Sequence, residues 1–117
     1  DELFIKESEL IKNVADKESC VIVGRLSNFI LKDSAFNVFL HANKEDRIKR
    51  VATRDNISET DADKKINRVN KERHEHCRLV TGREWGLAKH YDLSINTSLF
   101  GTENTAEYIS QMAKIKF

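Results

Sequence analysis

Residues 18–30 read ESCVIVGRLSNFI, and the architecture turns on what the apolar run at 20–23 becomes. Cys20, Val21, Ile22 and Val23 do not alternate with polar residues, so both faces of the segment are expected to be covered. An unbroken β-branched run reads as a strand inside a helix-covered parallel sheet, spanning roughly residues 19–24. Gly24 lets the backbone turn tightly. Arg25 then falls at the carboxyl end of that strand, where ligands of open α/β sheets sit. The expectation is that Arg25 faces an anion.

Working outward, residues 2–16 carry a helical pattern, with Leu3, Leu10 and Val14 on one face and Phe4 and Ile11 beside it. A short helix, SNFILK, is expected from Ser27, whose hydroxyl would cap it. NVFLHA at 37–42 reads as a second strand and residues 44–54 as a helix broken by DNIS. A long helix follows Ser58, with Asp61 at its third position, and runs to about Val80 before Gly82. TGREWGLAKHY is loop, DLSIN at 92–96 a third short strand, and residues 103–114 a last helix. Strands alternating with helices predict an α/β fold: three parallel strands in a sheet with flanking helices. There is no proline and no repeat, so residues 1–117 are expected to form one continuous domain.

Composition narrows the class. Charged residues make up 33% and no apolar run approaches the roughly 20 residues of a membrane span. The acidic, amphipathic start lacks a signal-peptide pattern. Together with two unpaired-looking cysteines, Cys20 and Cys77, this predicts a cytoplasmic protein with reduced thiols. The chain opens on Asp1 and its one methionine is Met112, so more chain is expected upstream. Net charge is +1, but residues 47–83 alone carry +5, leaving −4 for the rest. A local basic region on a near-neutral chain suits a small anionic ligand better than a long polyanion.

The long helix has a buried stripe of Ala62, Ile66, Val69, Cys77 and Val80. Arg73 falls within that stripe, with Asn70 at its edge. An arginine there either pairs with a carboxylate of a neighbouring element or faces a polar cleft. Arg50 and Arg54, four apart, share a face of the preceding helix. That face is either solvated or turned to the crevice at the carboxyl ends of the strands. Arg25, Arg50, Arg54 and Arg73 thus offer four guanidiniums on three segments, and the planar fork suits phosphate oxygens. His74, His76 and Cys77 do not predict a metal site, because positions i and i+2 of a helix point about 200° apart. Trp85, in GREWG, reads as a loop anchor. None of the four glycines lies in a GxxxxGKS/T loop, so the chain carries no triphosphate cradle of its own.

Taken in order, VIVGR at 21–25, NVFLHANKEDRIKRVATRDNIS at 37–58, NKER at 70–73, TGREWG at 81–86 and YDLSINTS at 91–98 resemble the cytidylate kinase-like family. These are nucleoside monophosphate kinases of the P-loop NTPase class, and the resemblance covers nearly the whole chain. It implies a P-loop NTPase-like sheet, incomplete at the N-terminus, with a helical lid at about residues 55–72. It implies that Arg25 binds the substrate phosphate and that Arg50 and Arg54 lie near the donor nucleotide. The family's Asp-x-x-Arg, which binds the acceptor, corresponds to Asn70-Lys71-Glu72-Arg73, an amide standing for the carboxylate. Leu26 stands where cytidylate kinases have a nucleoside-contacting aspartate. The turn at 97–101, with Ser98, corresponds to the segment bordering the donor base.

The activity so implied is transfer of a phosphoryl group from ATP, with Mg²⁺, to a CMP-like nucleoside monophosphate. Arg54 and Arg73 would serve catalysis in the intact protein, while the 117 residues alone would be inactive. The resembled fold also places a strand between the first two strands, so residues 20–24 and 37–41 are expected not to pair directly. Two other readings stay open: a non-catalytic nucleotide- or phosphate-binding module, and RNA binding through the basic segment. Nucleotides are the expected partners, with neither membrane nor bulk nucleic acid, and homo-oligomer formation is left open.

Overall fold

Val38–His41 (β1) and Leu93–Asn96 (β2) pair in parallel, with Val38 opposite Leu93 and His41 opposite Asn96. They form a two-stranded sheet in a computed structural model that describes residues 2–117. Around them, in chain order, lie α1 (Glu2–Lys17), α2 (Ser27–Leu31), α3 (Lys44–Asp55), α4 (Glu59–Thr81), α5 (Thr97–Phe100) and α6 (Thr102–Lys116). The parallel pairing forces the long crossover that α3 and α4 provide. At the amino end, Asn37 and Asp92 lock the register: the Asp92 carboxylate accepts from the Asn37 N–H at 2.8 Å, and the Asn37 carbonyl accepts from the Asp92 N–H at 2.7 Å.

Local sequence signals bound α4 cleanly. The Ser58 hydroxyl accepts from the Asp61 N–H at 3.1 Å, satisfying one of the orphan donors of the first turn. Gly82 closes the other end with φ 72°, its N–H donating to the Arg78 carbonyl at 2.9 Å. Ala62, Ile66 and Cys77 are buried on the expected stripe, Ala62 completely. Together with Ile95 of β2 they make the apolar core among the described residues. Cys77 should therefore resist thiol reagents in the native protein, whereas exposed Cys20 reacts. Labelling followed by peptide mapping checks this; modification of Cys77 at the rate of a model thiol would contradict the packing.

Four expectations are corrected. The first predicted strand is not formed: residues 19–23 belong to no regular element and pair with no strand, and Val21 and Val23 are 93% and 89% exposed. A doubly apolar strand needs a partner at its edges and cover on its faces. No described segment supplies either here, and β1 pairs with β2 instead, so the sheet has two strands and not three. Residues 20–24 make no ladder with β1, as follows from their forming no strand. Cys20 is accordingly exposed, not buried.

The apolar stripe of α1 also points outward. Leu3 and Leu10 are exposed, while Phe4 sits 6.5 Å from the Phe29 ring of α2. The helix that α1 packs on, α2, is only five residues long and cannot cover the whole stripe. Finally, Ser27 does not cap α2. Gly24, Arg25 and Leu26 have φ of 73°, 59° and 56°, a left-handed turn closed by the Ser27 N–H on the Gly24 carbonyl at 3.2 Å. That turn places Leu26 at the cap position and Ser27 inside the helix.

Candidate functional site

The carboxyl end of β1 opens into a cleft of about 500 Å³. Residues 39–42 form its floor; Arg47, Arg50, Val51 and Arg54 of α3 make one wall; Lys65, Ile66, Val69, Asn70 and Arg73 of α4 make the other; Trp85 closes the end. Each wall follows from helix geometry. Arg47, Arg50 and Arg54 recur at spacings of three and four, and Ile66, Val69, Asn70 and Arg73 at the same intervals, so each set shares a face. The two helices pack against each other and so bring the two basic faces together. The rim is fixed by the turn after β2. The Asn43 N–H donates to the Ser98 hydroxyl at 2.8 Å and the Thr97 hydroxyl donates to the His41 carbonyl at 3.1 Å.

Electrostatically the cleft is one-sided. Arg47, Arg50, Arg54, Lys65 and Arg73 line it, and no aspartate or glutamate does. Arg47 Nε is buried without a hydrogen-bond partner among the described residues, and such a donor is costly unless something occupies the space before it. Arg73 lies over the Trp85 ring, its guanidinium carbon 5.5 Å from the centroid, and has no ion pair with a carboxylate among the described residues. Of the two readings open for an arginine in the stripe, the polar cleft is the one found. Arg73 is nonetheless exposed.

Trp85 is indeed wedged in place. It meets Phe39 edge-on at 5.2 Å and His74 edge-on at 5.3 Å. Gly86 lets the loop lie against Phe39: a Cβ there would come within 3.1 Å of the ring, at a φ of 85° that a side chain rarely adopts. Tyr91 sits 5.1 Å from the same Phe39 ring, and burial pushes its phenol above the ordinary value. The aromatic cluster holds the end of the cleft at a set distance from α4.

Just outside the lining, Asp55 gathers two of the cations. Its carboxylate accepts from Arg54 Nε at 2.9 Å and Nη2 at 3.2 Å, and from Lys65 Nζ at 2.6 Å. The hydrogen bond from Arg54, then that from Lys65, holds the Asp55 carboxyl well below the usual carboxylate range. Reciprocally, the Asp55 hydrogen bond pushes Arg54 up.

Of the residues singled out in the sequence, Arg50, Arg54, Asn70 and Arg73 therefore meet in one cleft. Arg25 does not join them. Its side chain is 71% exposed and lies 3.6 Å from the Glu7 carboxylate of α1, because the strand that would have aimed it does not form. Ser98 is likewise outside the lining, its hydroxyl engaged at the Asn43 N–H. Arg47 and Lys65 were missed, although the pattern held a signal. Arg47 is three residues before Arg50, and Lys65 is four before Val69 on the face that carries Arg73. Among the described residues no group of three histidines, cysteines or acids could hold a metal ion.

Residues 1–99 match the cytidylate kinase-like family. A cytidylate kinase of Ignicoccus hospitalis is 30% identical over 112 residues, covering 95% of this chain and 65% of that protein. An uncharacterized protein of Eubacterium ventriosum, known from its crystal structure, shares the fold with a TM-score of 0.91 at 25% identity, over 97% of this chain and 66% of its own. The chain thus spans just under two thirds of the length of both relatives. With 99 of its 117 residues matched, the chain belongs to the cytidylate kinase-like family.

Proposed function

We propose that this chain supplies the phosphate-binding cleft and lid of a kinase that transfers the γ-phosphoryl group of ATP to a CMP-like nucleoside monophosphate. The observation that carries the reading is the cleft itself: five cations on two facing helices, open to ligand and free of lining carboxylates. Phosphoryl transfer asks the protein chiefly for positioning and for neutralisation of charge on the phosphate oxygens. Guanidiniums do both, through paired hydrogen bonds of fixed geometry. Arg73 and Asn70 on α4 would hold the acceptor, and Arg50 and Arg54 on α3 the donor phosphates. Residues 55–72, from the end of α3 through the first half of α4, would act as the lid.

The remainder of the intact protein would complete the sheet beside β1 as a P-loop NTPase fold, cover Val21 and Val23, and cradle the triphosphate. Arg25 would then be redirected from Glu7 to the acceptor phosphate. The contribution of the cleft to a magnesium nucleotide would be cations placed for its phosphates.

The test is ADP formation by the intact protein with ATP, Mg²⁺ and a panel of CMP, dCMP, UMP and AMP. CMP or a close analogue should turn over fastest. Nucleotide binding without turnover of any acceptor would replace the kinase by a binding module.

A further inference from the structure

The contact that the phosphate reading leaves unused is the one at Asp55. A cleft lined by five cations and no acid should present every cation to its ligand, yet two of them, Arg54 and Lys65, are turned onto one carboxylate at its margin. Arg54 spends two of its donors, Nε and Nη2, on Asp55, which is the geometry with which a guanidinium otherwise grips a phosphate. Lys65 reaches the same carboxylate from α4, ten residues further along the chain. Asp55 thus behaves chemically as an internal anion occupying the place of an external one.

We propose that Lys65 is a further phosphate-binding cation of this cleft, and that Asp55 is a latch which holds Lys65 and Arg54 until a polyphosphate displaces it. The proposal rests on the reading of the cleft as a phosphate site. Three features make displacement feasible. Both partners of Asp55 line the cleft, so a bound polyphosphate lies within reach of the same nitrogens. The Arg54 side chain is 63% exposed, and ion pairs so open to water contribute little to stability, so breaking this one is cheap. A chain of phosphates carries several negative charges against one on the carboxylate, and its oxygens can engage both cations at once.

The latch also couples binding to the helix pair. Asp55 is the last residue of α3 and Lys65 belongs to the second turn of α4, on the two sides of the connection at 56–58. A second ion pair, Lys44 to Asp63 at 3.1 Å, joins the same two helices and uses no cleft residue. Exchange of Asp55 for phosphate therefore loosens one of the two ionic ties between α3 and α4 found among the described residues and leaves the other. The ligand takes over the lost tie, since Arg54 and Lys65 would then meet on its oxygens. Because Asp55 is held ionised well below the usual carboxylate range, the latch is set at any ordinary pH.

Inorganic tripolyphosphate is the probe, titrated into the intact protein and followed by calorimetry and by emission of Trp85, the one tryptophan, which lines the cleft. Asp55→Asn should bind it about five- to tenfold tighter, the effect of removing one competing charge beside a partly solvated anion. The same variant should melt at a lower temperature when unliganded, because the Lys65 tie is gone. Affinity rising while stability falls is a combination that a merely structural carboxylate does not produce. Lys65→Gln should weaken binding several-fold and remove most of the gain when combined with Asp55→Asn.

Equal or weaker binding by Asp55→Asn overturns the latch alone. An undiminished gain in the double variant overturns the role of Lys65. Absence of tripolyphosphate binding to wild type and variant alike overturns the phosphate reading and the latch with it. Should Asp55→Asn fail to fold, Lys65→Gln decides: unchanged affinity overturns the proposal.

Discussion

Arg50→Ala in the intact protein is expected to lower kcat about 10²- to 10³-fold, the range seen when one preorganised donor to developing charge is removed. KM for the acceptor should change little. Arg50 lies between Arg47 and Arg54 on the cleft face of α3 and, among the described residues, is in no ion pair. Its guanidinium is therefore free to meet the donor phosphates without first leaving a partner, which sets it apart from Arg54. The charge it would neutralise grows as the γ-phosphoryl group moves, so its loss falls on the chemical step. The melting temperature should stay near that of the wild type, because an exposed α3 residue is replaced by the best helix former. Steady-state kinetics with a thermal melt checks this. A rise in acceptor KM at unchanged kcat would assign Arg50 to ground-state binding instead.

Arg73→Lys tests the opposite wall. It should weaken acceptor binding about ten- to hundredfold, since an ammonium keeps the charge but loses the two-pronged geometry. Stability should be nearly unchanged: Arg73 is exposed, pairs with no carboxylate among the described residues, and rests on Trp85, a contact an ammonium can retain in part. Acceptor titration by calorimetry, alongside a thermal melt, separates the two effects. Unaltered acceptor affinity would remove Arg73 from the site, and a large drop in melting temperature would return it to the role of a structural arginine.

The two walls of the cleft were legible in the sequence to different degrees. That Arg50 and Arg54 share a face, and that Arg73 shares one with Ile66 and Val69, needs only the helical repeat. The ends of α4 are equally local: a serine hydroxyl three residues from an N–H, and a glycine at positive φ. That the two faces look at each other is not local. It follows from α3 and α4 packing together between two parallel strands. Arg47 and Lys65 could have been placed by the same repeat, but nothing along the chain marks them as lining a cavity and Lys64 or Lys49 as lying outside it.

The run at 20–23 marks where such reading stops. Its β-branched residues suit a strand, yet residues 19–23 form no regular element. A strand, however, is completed by hydrogen bonds to another segment, and none of the described residues offers them here. Without that pairing Arg25 swings to Glu7 and away from the cleft. The sequence by itself determined α3 and α4, the two caps of α4 and the basic face each of these helices presents, because these depend on residues three or four apart. Only the tertiary structure decided which face meets which, that Arg73 lies over Trp85 in a polar cleft, and that Asp55 holds Arg54 and Lys65 together. Those contacts join separate elements, and their geometry comes from packing, which no local repeat encodes.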